Sequence, residues 1–188
     1  MLVHQNILEK VIAQALESGA DFAEVYVEDT RKRQYSYLNG KPDKAISGHT
    51  LGAGIRLFSG TEQIYTFTND LSEQGLLRAS RQAGAALKAG AKTKFVAPEK
   101  MQTFGEPSRL QTKDRDFQWQ QLKLLDQSAR AVSSLVTQVN GNMAETNKIV
   151  QIMNSEGFHR HEARNYLNTS AIVTSEENGQ METGMELM

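Results

Sequence analysis

Residues 23–68 decide the fold, and they read AEVYVEDTRKRQYSYLNGKPDKAISGHTLGAGIRLFSGTEQIYTFT. From Ala23 to Val27, apolar and polar residues alternate, which is the period of a strand with one buried face. The pairs Asn39–Gly40 and Ser59–Gly60 predict tight turns, because glycine and asparagine accept the positive φ that hairpins require. The stretch therefore predicts a meander of antiparallel strands. The predicted strands cover residues 21–28, 33–38, 44–47, 51–58 and 64–67.

Helical periodicity flanks this meander. Residues 7–16 place their apolar side chains on one helical face, and Ser18–Gly19 would end that helix. A second helix is predicted after Asp70 and Glu73, which resemble an N-terminal capping pair. A third helix is predicted after Asp116. The class predicted is α+β, a mostly antiparallel sheet flanked by helices. Further strands are predicted at 136–139, 149–153 and 165–174, with a last hairpin turn at Asn178–Gly179.

The segment from about 90 to 114 has no periodicity and contains Pro98 and Pro107. It predicts a linker between two halves, each made of helix and strands. The length of 188 residues fits one domain of ordinary size, so residues 1–188 are interpreted as a single domain with this linker inside it.

The amino-acid composition argues against several classes of function. The formal net charge is −1, from 21 basic and 22 acidic residues, so the chain has no overall field with which to hold nucleic acid. With no cysteine, a disulfide framework and thiolate metal sites are excluded. No apolar run approaches the ~20 residues of a membrane span. We therefore expect a cytoplasmic protein that binds neither membrane nor nucleic acid.

His159, His161 and Glu162 form the strongest cluster of metal-ligand residue types. The metallopeptidase motif HExxH needs its second histidine one helical turn on, but Asn165 and Tyr166 stand four and five residues after His161. The cluster is therefore interpreted as a solvated polar loop, and no metal site is predicted in this chain.

The remaining motifs predict architecture and not catalysis. Gly52–Gly54 fails as a dinucleotide loop because Leu57 replaces the third glycine and a strand follows. Its small residues instead predict close backbone approach in a sheet, with Arg56 on the solvent side. Residues 154–157, NSEG, have the composition of a tight turn. No catalytic residue is assigned.

Several segments, taken in order, resemble the N-terminal domain of the TldD/PmbA family, whose members were once labelled modulators of DNA gyrase. The resemblance is closer to TldD than to PmbA. The segments are GADFAEVYVEDTR (19–31), LNGKPDKAISG (38–48), LGAGIRLFSGTEQIYTFTNDLS (51–72) and IMNSEGF (152–158).

This resemblance implies a function. Family members are cytoplasmic zinc metallopeptidases that act on peptides, and a TldD-type subunit pairs with a PmbA-type (TldE) subunit. Their metal motif, HExxxH, lies beyond the point where this sequence stops, and Tyr166 stands where His161 would need its partner. The expectation is a substrate-facing scaffold domain that is not catalytic by itself, with zinc in a catalytic domain that this sequence lacks. Arg56, Asn154 and Ser155 are the candidate substrate contacts. The alternative is a stand-alone module that binds a peptide or a partner without peptidase activity.

Overall fold

The computed structural model describes residues 1–87, 102–104 and 114–188. Those residues form three helices and one seven-stranded sheet with the strand order β3-β2-β1-β5-β6-β4, in which β7 also pairs with β6. The helices are α1 (Gln5–Glu17), α2 (Glu73–Ala86) and α3 (Arg115–Val132). The strands are β1 (Phe22–Leu38), β2 (Lys41–Ser59), β3 (Glu62–Thr68), β4 (Gln102–Phe104), β5 (Val136–Asn154), β6 (His159–Glu177) and β7 (Gln180–Leu187).

The predicted α+β class with a mostly antiparallel sheet is confirmed. Strands β2 and β3 pair antiparallel, as do β6 and β7. The short strand β4 is the exception, because it pairs parallel with β6.

The predicted strands were too short and too many. Strand β1 runs unbroken for 17 residues, and β2 and β5 for 19 each, where the pattern predicted two separate strands in each case. In β1 the joining residues 31–34 are polar and exposed. Strand pairing uses backbone groups, so it continues through residues that bury no side chain. Hydrophobic alternation therefore marks where a strand is covered and not where it ends.

The Asn–Gly turns are confirmed by their backbone angles. Asn39 and Gly40 have φ of 48° and 78°, and Asn178 and Gly179 have φ of 52° and 79°. These positive values give the turn a twist that matches the flanking strands. The turn predicted at Ser59–Gly60 is shifted by one residue, because Ser59 still pairs with Glu62.

Helix α2 is capped by Ser72 and not by the predicted Asp70. The Ser72 hydroxyl oxygen accepts a hydrogen bond from the Gly75 amide at 3.1 Å. The Asp70 carboxylate instead accepts from the Ser72 hydroxyl at 2.6 Å. An N-cap side chain reaches the amide three residues on, which fits Ser72 and places Asp70 two residues before the cap.

The predicted linker lies mostly outside the described residues. Within it, the structure describes 102–104, which pair with 160–162 of β6, and Asp114, which caps α3 by accepting from the Phe117 amide at 2.8 Å. The linker and the division into two halves stay predictions.

The chain divides into two compact units. Unit 1 consists of residues 1–30, 50–109 and 148–164. Its core forms between α1, α2 and one sheet face, where Ala23, Val25 and Val27 are fully buried, as their alternation predicted. The core also contains Leu8, Val11, Ile12, Ala15, Leu16, Ala53, Ile55, Leu57, Leu76, Ala79, Ala83 and Met153.

Unit 2 consists of residues 31–49, 110–147 and 165–188. Its smaller core forms where α3 packs on the sheet through the fully buried Leu122. The rings of Tyr35 and Trp119 meet edge to face with their centroids 5.2 Å apart. Gly141 permits this packing, because a Cβ there would lie 3.1 Å from a Leu125 methyl group.

Among residues 1–87, 102–104 and 114–188, no helix has both the length and the apolar character needed to cross a bilayer.

The fold predicts that Ile12→Ala in α1 lowers the free energy of unfolding by about 2–5 kcal/mol, because Ile12 is fully buried and its loss leaves a cavity. Leu124→Ala is the control, since Leu124 is 55 % exposed and its truncation is expected to cost less than about 0.5 kcal/mol. Urea titrations measure both. Equal costs for the two variants would contradict this description of the core.

Candidate functional site

Unit 1 presents a second sheet face, turned away from α1 and α2, which we call the open face. Strand alternation sends the side chains between the core positions to this side. They include charged and aromatic residues that are partly buried or exposed, and glycines that are buried. The residues of the open face used below are Glu24, Tyr26, Glu28, Gly52, Gly54, Arg56, Tyr65, Phe67 and Lys148.

A hydrogen-bonded charge cluster lies on the open face between β1 and β5. The Lys148 ammonium is 2.7 Å from a carboxylate oxygen of Glu28. The Tyr26 hydroxyl donates to the same oxygen at 2.9 Å, and the Thr30 hydroxyl donates to the other oxygen at 3.1 Å. The Lys148 ammonium also lies 5.5 Å from the centre of the Tyr26 ring, within cation–π range.

This cluster keeps its groups in their ordinary charge states. Burial acts to raise the pKa of Glu28, but the hydrogen bonds from Lys148 and Tyr26 outweigh it and hold that pKa below its usual value. Burial acts to lower the pKa of Lys148, but Glu28 and Tyr26 raise it. Burial raises the pKa of Tyr26. With Lys148 charged and Tyr26 neutral, the cluster supplies fixed charges for binding and no general base or amine nucleophile.

Arg56 lies on the open face in β2, on the solvent side as its strand position predicted. Its side chain is 44 % exposed, and its guanidinium lies 3.8 Å from the Glu24 carboxylate. An exposed pair at this separation holds the guanidinium loosely, so most of its five N–H donors can bind a ligand.

Two exposed aromatic rings lie beside Arg56. Tyr65 pairs directly with Arg56 and Phe67 with Gly54, and each of the two aromatic residues is 59 % exposed. The rings cover the glycines of β2: a Cβ at Gly52 would lie 2.7 Å from the Phe67 ring, and one at Gly54 would overlap Tyr65. The glycines therefore allow a close approach, as predicted, but the approaching atoms are mainly aromatic side chains and only at Gly52 also backbone, the Thr68 carbonyl. In the sequence, Tyr65 and Phe67 are recognisable only as strand-forming residues. Their position over Gly54 and Gly52 depends on the register between β2 and β3, which the sequence does not show.

Asn154 and Ser155 form the turn between β5 and β6. The Asn154 side-chain oxygen accepts from the amides of Glu156 and Phe158, both at 3.0 Å. The Ser155 hydroxyl oxygen accepts from the Ala23 amide at 3.1 Å, and the Ser155 amide donates to the Ala23 carbonyl at 2.8 Å. Both side chains thus have architectural roles. Substrate contact by Arg56, Asn154 or Ser155 stays a prediction.

The interpretation of His159, His161 and Glu162 as a solvated loop was wrong. All three lie in β6, and His159 and His161 are 1 % and 5 % exposed. Polar residues carry no hydrophobic signal, so their burial could not be predicted from alternation. Glu162 follows His161 directly in the strand and points to the opposite face, where it pairs with Arg160 and Arg164.

These residues do not fit a zinc site. Two histidines on one face and a carboxylate on the other cannot converge on one ion. Within the described ranges, no group of three or more histidine or acidic side chains is placed to hold a metal. The described residues of unit 1 instead present exposed rings and charges of both signs on the open face.

Comparisons with known proteins identify the same family in both parts of the chain. A family model described as PmbA/TldA metallopeptidase domain 1 matches residues 23–87, and one described as the PmbA/TldA metallopeptidase central domain matches residues 108–188. A curated relative, the metalloprotease TldD homolog of Haemophilus influenzae, is 23 % identical over 173 residues. That match covers 87 % of this chain but 35 % of the relative.

Three solved structures share the fold. A protein described as a modulator of DNA gyrase from Bacteroides thetaiotaomicron has a TM-score of 0.71 at 14 % identity, covering 100 % of this chain and 45 % of that one. Another so described, from Thermotoga maritima, has a TM-score of 0.72 at 15 % identity, covering 97 % and 42 %. TldE from Thermococcus kodakarensis has a TM-score of 0.72 at 14 % identity, covering 96 % and 42 %. This chain spans less than half of each of these proteins.

The glycine contacts predict that Gly54→Ala destabilises unit 1 by about 1–3 kcal/mol, because the new Cβ displaces the Tyr65 ring. In a Tyr65→Ala background the same change is expected to cost at least about 0.5 kcal/mol less. Gly48→Ala is the control in the same strand, since a Cβ there meets nothing within 4 Å. Urea unfolding measures this double-mutant cycle. Additive costs would contradict the contact between Gly54 and Tyr65.

The charge cluster predicts a pH-dependent effect of Glu28→Gln. The lowered pKa of Glu28 means that its stabilisation is present above about pH 4.5 and is lost as pH falls through the lower folded value. We expect Glu28→Gln to cost about 1–3 kcal/mol at pH 7, with the difference from wild type shrinking below pH 4.5.

Glu73→Gln is the matched control, because Glu73 pairs with Lys10 in solvent at side-chain exposures of 41 % and 56 %. Its cost should stay under about 1 kcal/mol. Chemical denaturation from pH 7 to pH 3 measures both variants. A Glu28→Gln effect that does not change over this range would rule out ionised Glu28 as the stabilising species.

Proposed function

Since this chain belongs to the PmbA/TldD metallopeptidase family, we propose that it is the substrate-facing scaffold part of a TldD-like zinc metallopeptidase acting on peptides, not catalytic by itself. One observation carries the proposal: two family models match successive segments, while the described residues bring no set of metal ligands together. Zinc then belongs to a part of the enzyme outside these 188 residues.

The open face is the surface that we assign to the peptide. Tyr65 and Phe67 give exposed rings for apolar side chains. Arg56 and Lys148 give cations for a carboxylate, and Glu24 gives an anion for an amine or a basic side chain. A peptide carries all of these groups, so a mixed surface of this kind matches a peptide better than it matches a polyanion.

We base the proposed partner subunit and the proposed location on the family. The similarity to TldE supports pairing with a TldE-like subunit, and we propose such a heterodimer as the working enzyme. The lack of cysteine and the family resemblance support a cytoplasmic location.

The first test is metal and peptidase analysis of the 188-residue chain. We expect no stoichiometric zinc by elemental analysis after dialysis against zinc, and no hydrolysis of a mixed peptide library, because no ligand set is present among the described residues. One zinc per chain, or peptide cleavage by the chain alone, would contradict the scaffold role.

A second test examines the open face with a photoreactive decapeptide library. Arg56→Ala should weaken labelling about tenfold, the effect of losing one charge-assisted hydrogen bond. Arg81→Ala is the control, because Arg81 is an exposed arginine on α2, away from the open face. Mass spectrometry of the adducts should place them on β2 and β3. Equal labelling of the two variants would disprove the assignment of the peptide to this face.

A further inference from the structure

A buried hydrogen-bond chain fastens the N-terminal segment to the sheet of unit 1. Gln151 of β5 is fully buried, and its side-chain amide pairs with the backbone of Val3. The Val3 amide donates to the Gln151 carbonyl oxygen at 3.0 Å, and the Gln151 amide nitrogen donates to the Val3 carbonyl at 2.9 Å. This two-point pairing fixes which way the amide points, because a flipped amide would lose both bonds.

His159 is the third member of this hydrogen-bond chain. The Gln151 amide nitrogen lies 3.1 Å from Nε2 of His159. An amide nitrogen only donates, so Nε2 must accept through its lone pair, and the ring must be neutral with its proton on Nδ1. The position of that proton follows from the Val3 pairing.

We propose that His159 is an acid-sensitive anchor: a proton taken up at its Nε2 breaks the Val3–Gln151–His159 hydrogen-bond chain and releases the N-terminal segment from the sheet. A proton on Nε2 places an N–H against the Gln151 N–H, so the bond between them is lost. Gln151 cannot flip to accept from the ring without giving up Val3. The Nδ1–H of the neutral ring already has no partner among the described residues, so protonation of Nε2 would leave both ring N–H groups buried without an acceptor.

Burial and the surrounding charges decide whether the anchor weakens at low or at high pH. Burial lowers the pKa of His159, and the Glu9 carboxylate of α1 only partly offsets this. His161 faces the same side of β6, and burial together with the Met1 α-amino group lowers its pKa. Because the anchored state disfavours the proton, the anchor is at full strength above about pH 6.5 and weakens as pH falls below it.

The test is amide hydrogen exchange of the full chain at pH 7.5 and pH 5.5, corrected for the intrinsic rate at each pH. We expect protection of Val3 and the first turns of α1 to fall about tenfold at pH 5.5, because release coupled to one proton changes up to tenfold per pH unit. Protection at Val25 and Ile55 in the core should change much less. Unchanged protection at Val3, or an equal loss at Val25 and Ile55, would overturn the proposal.

Substitutions of the two histidines distinguish the pH response of His159 from that of His161. His159→Gln places an amide oxygen where it can accept from Gln151 and cannot titrate, so it should remove most of the pH response while leaving Val3 protected. His161→Gln is the matched control: its own lowered pKa adds a share of the response, and most of the response should remain when it is replaced. If His161→Gln alone removes the response, the assignment to His159 is wrong. The wild-type measurement decides the proposal even if His159→Gln fails to fold.

Discussion

The two-residue period of the β-strand is the constraint on which the rest of unit 1 depends. Burying Ala23, Val25 and Val27 under α1 and α2 fixes which side chains of β1 point inward. The intervening residues are then forced onto the open face. The same alternation in β6 turns His159 inward and leaves Glu162 on the other side. One geometric rule thus sets the core, the candidate binding surface and the failure of the zinc-like cluster.

Local signals made much of the fold predictable. The Asn39–Gly40 and Asn178–Gly179 turns and the apolar face of α1 follow from short-range chemistry, and the structure has all three. The continuity of β1 and β5 was not predictable, because it depends on backbone pairing with strands distant in sequence. The cap of α2 was missed for a local reason: Asp70 and Ser72 are both good capping residues, and only the three-residue spacing to Gly75 distinguishes them.

The candidate site was less predictable than the fold. The solvent-side position of Arg56 followed from strand phase. The cluster of Glu28 and Lys148 did not, since the two residues lie 120 positions apart in the sequence and meet only when β1 pairs with β5. The burial of His159 was hidden because it depends on a hydrogen-bond partner, Gln151, that is itself polar. Buried polar residues satisfied by one another leave no trace in a hydrophobicity pattern.

Each unit is built from stretches that lie far apart in the sequence, and this limits where the chain can be cut into parts that fold independently. Strands β1, β2, β5 and β6 each contribute residues to both units, and unit 1 draws on three separate stretches of sequence. The segment 23–87, which matches one family model, therefore lacks α1 and the Met153 and Gln151 positions of β5 that complete its core. If recombination exchanged this segment between relatives, the new segment would have to pack against an α1 and a β5 from the other protein. Fragments cut between α2 and α3 could regain their cores only by complementing each other, so the boundaries of a sequence family need not be boundaries of folding.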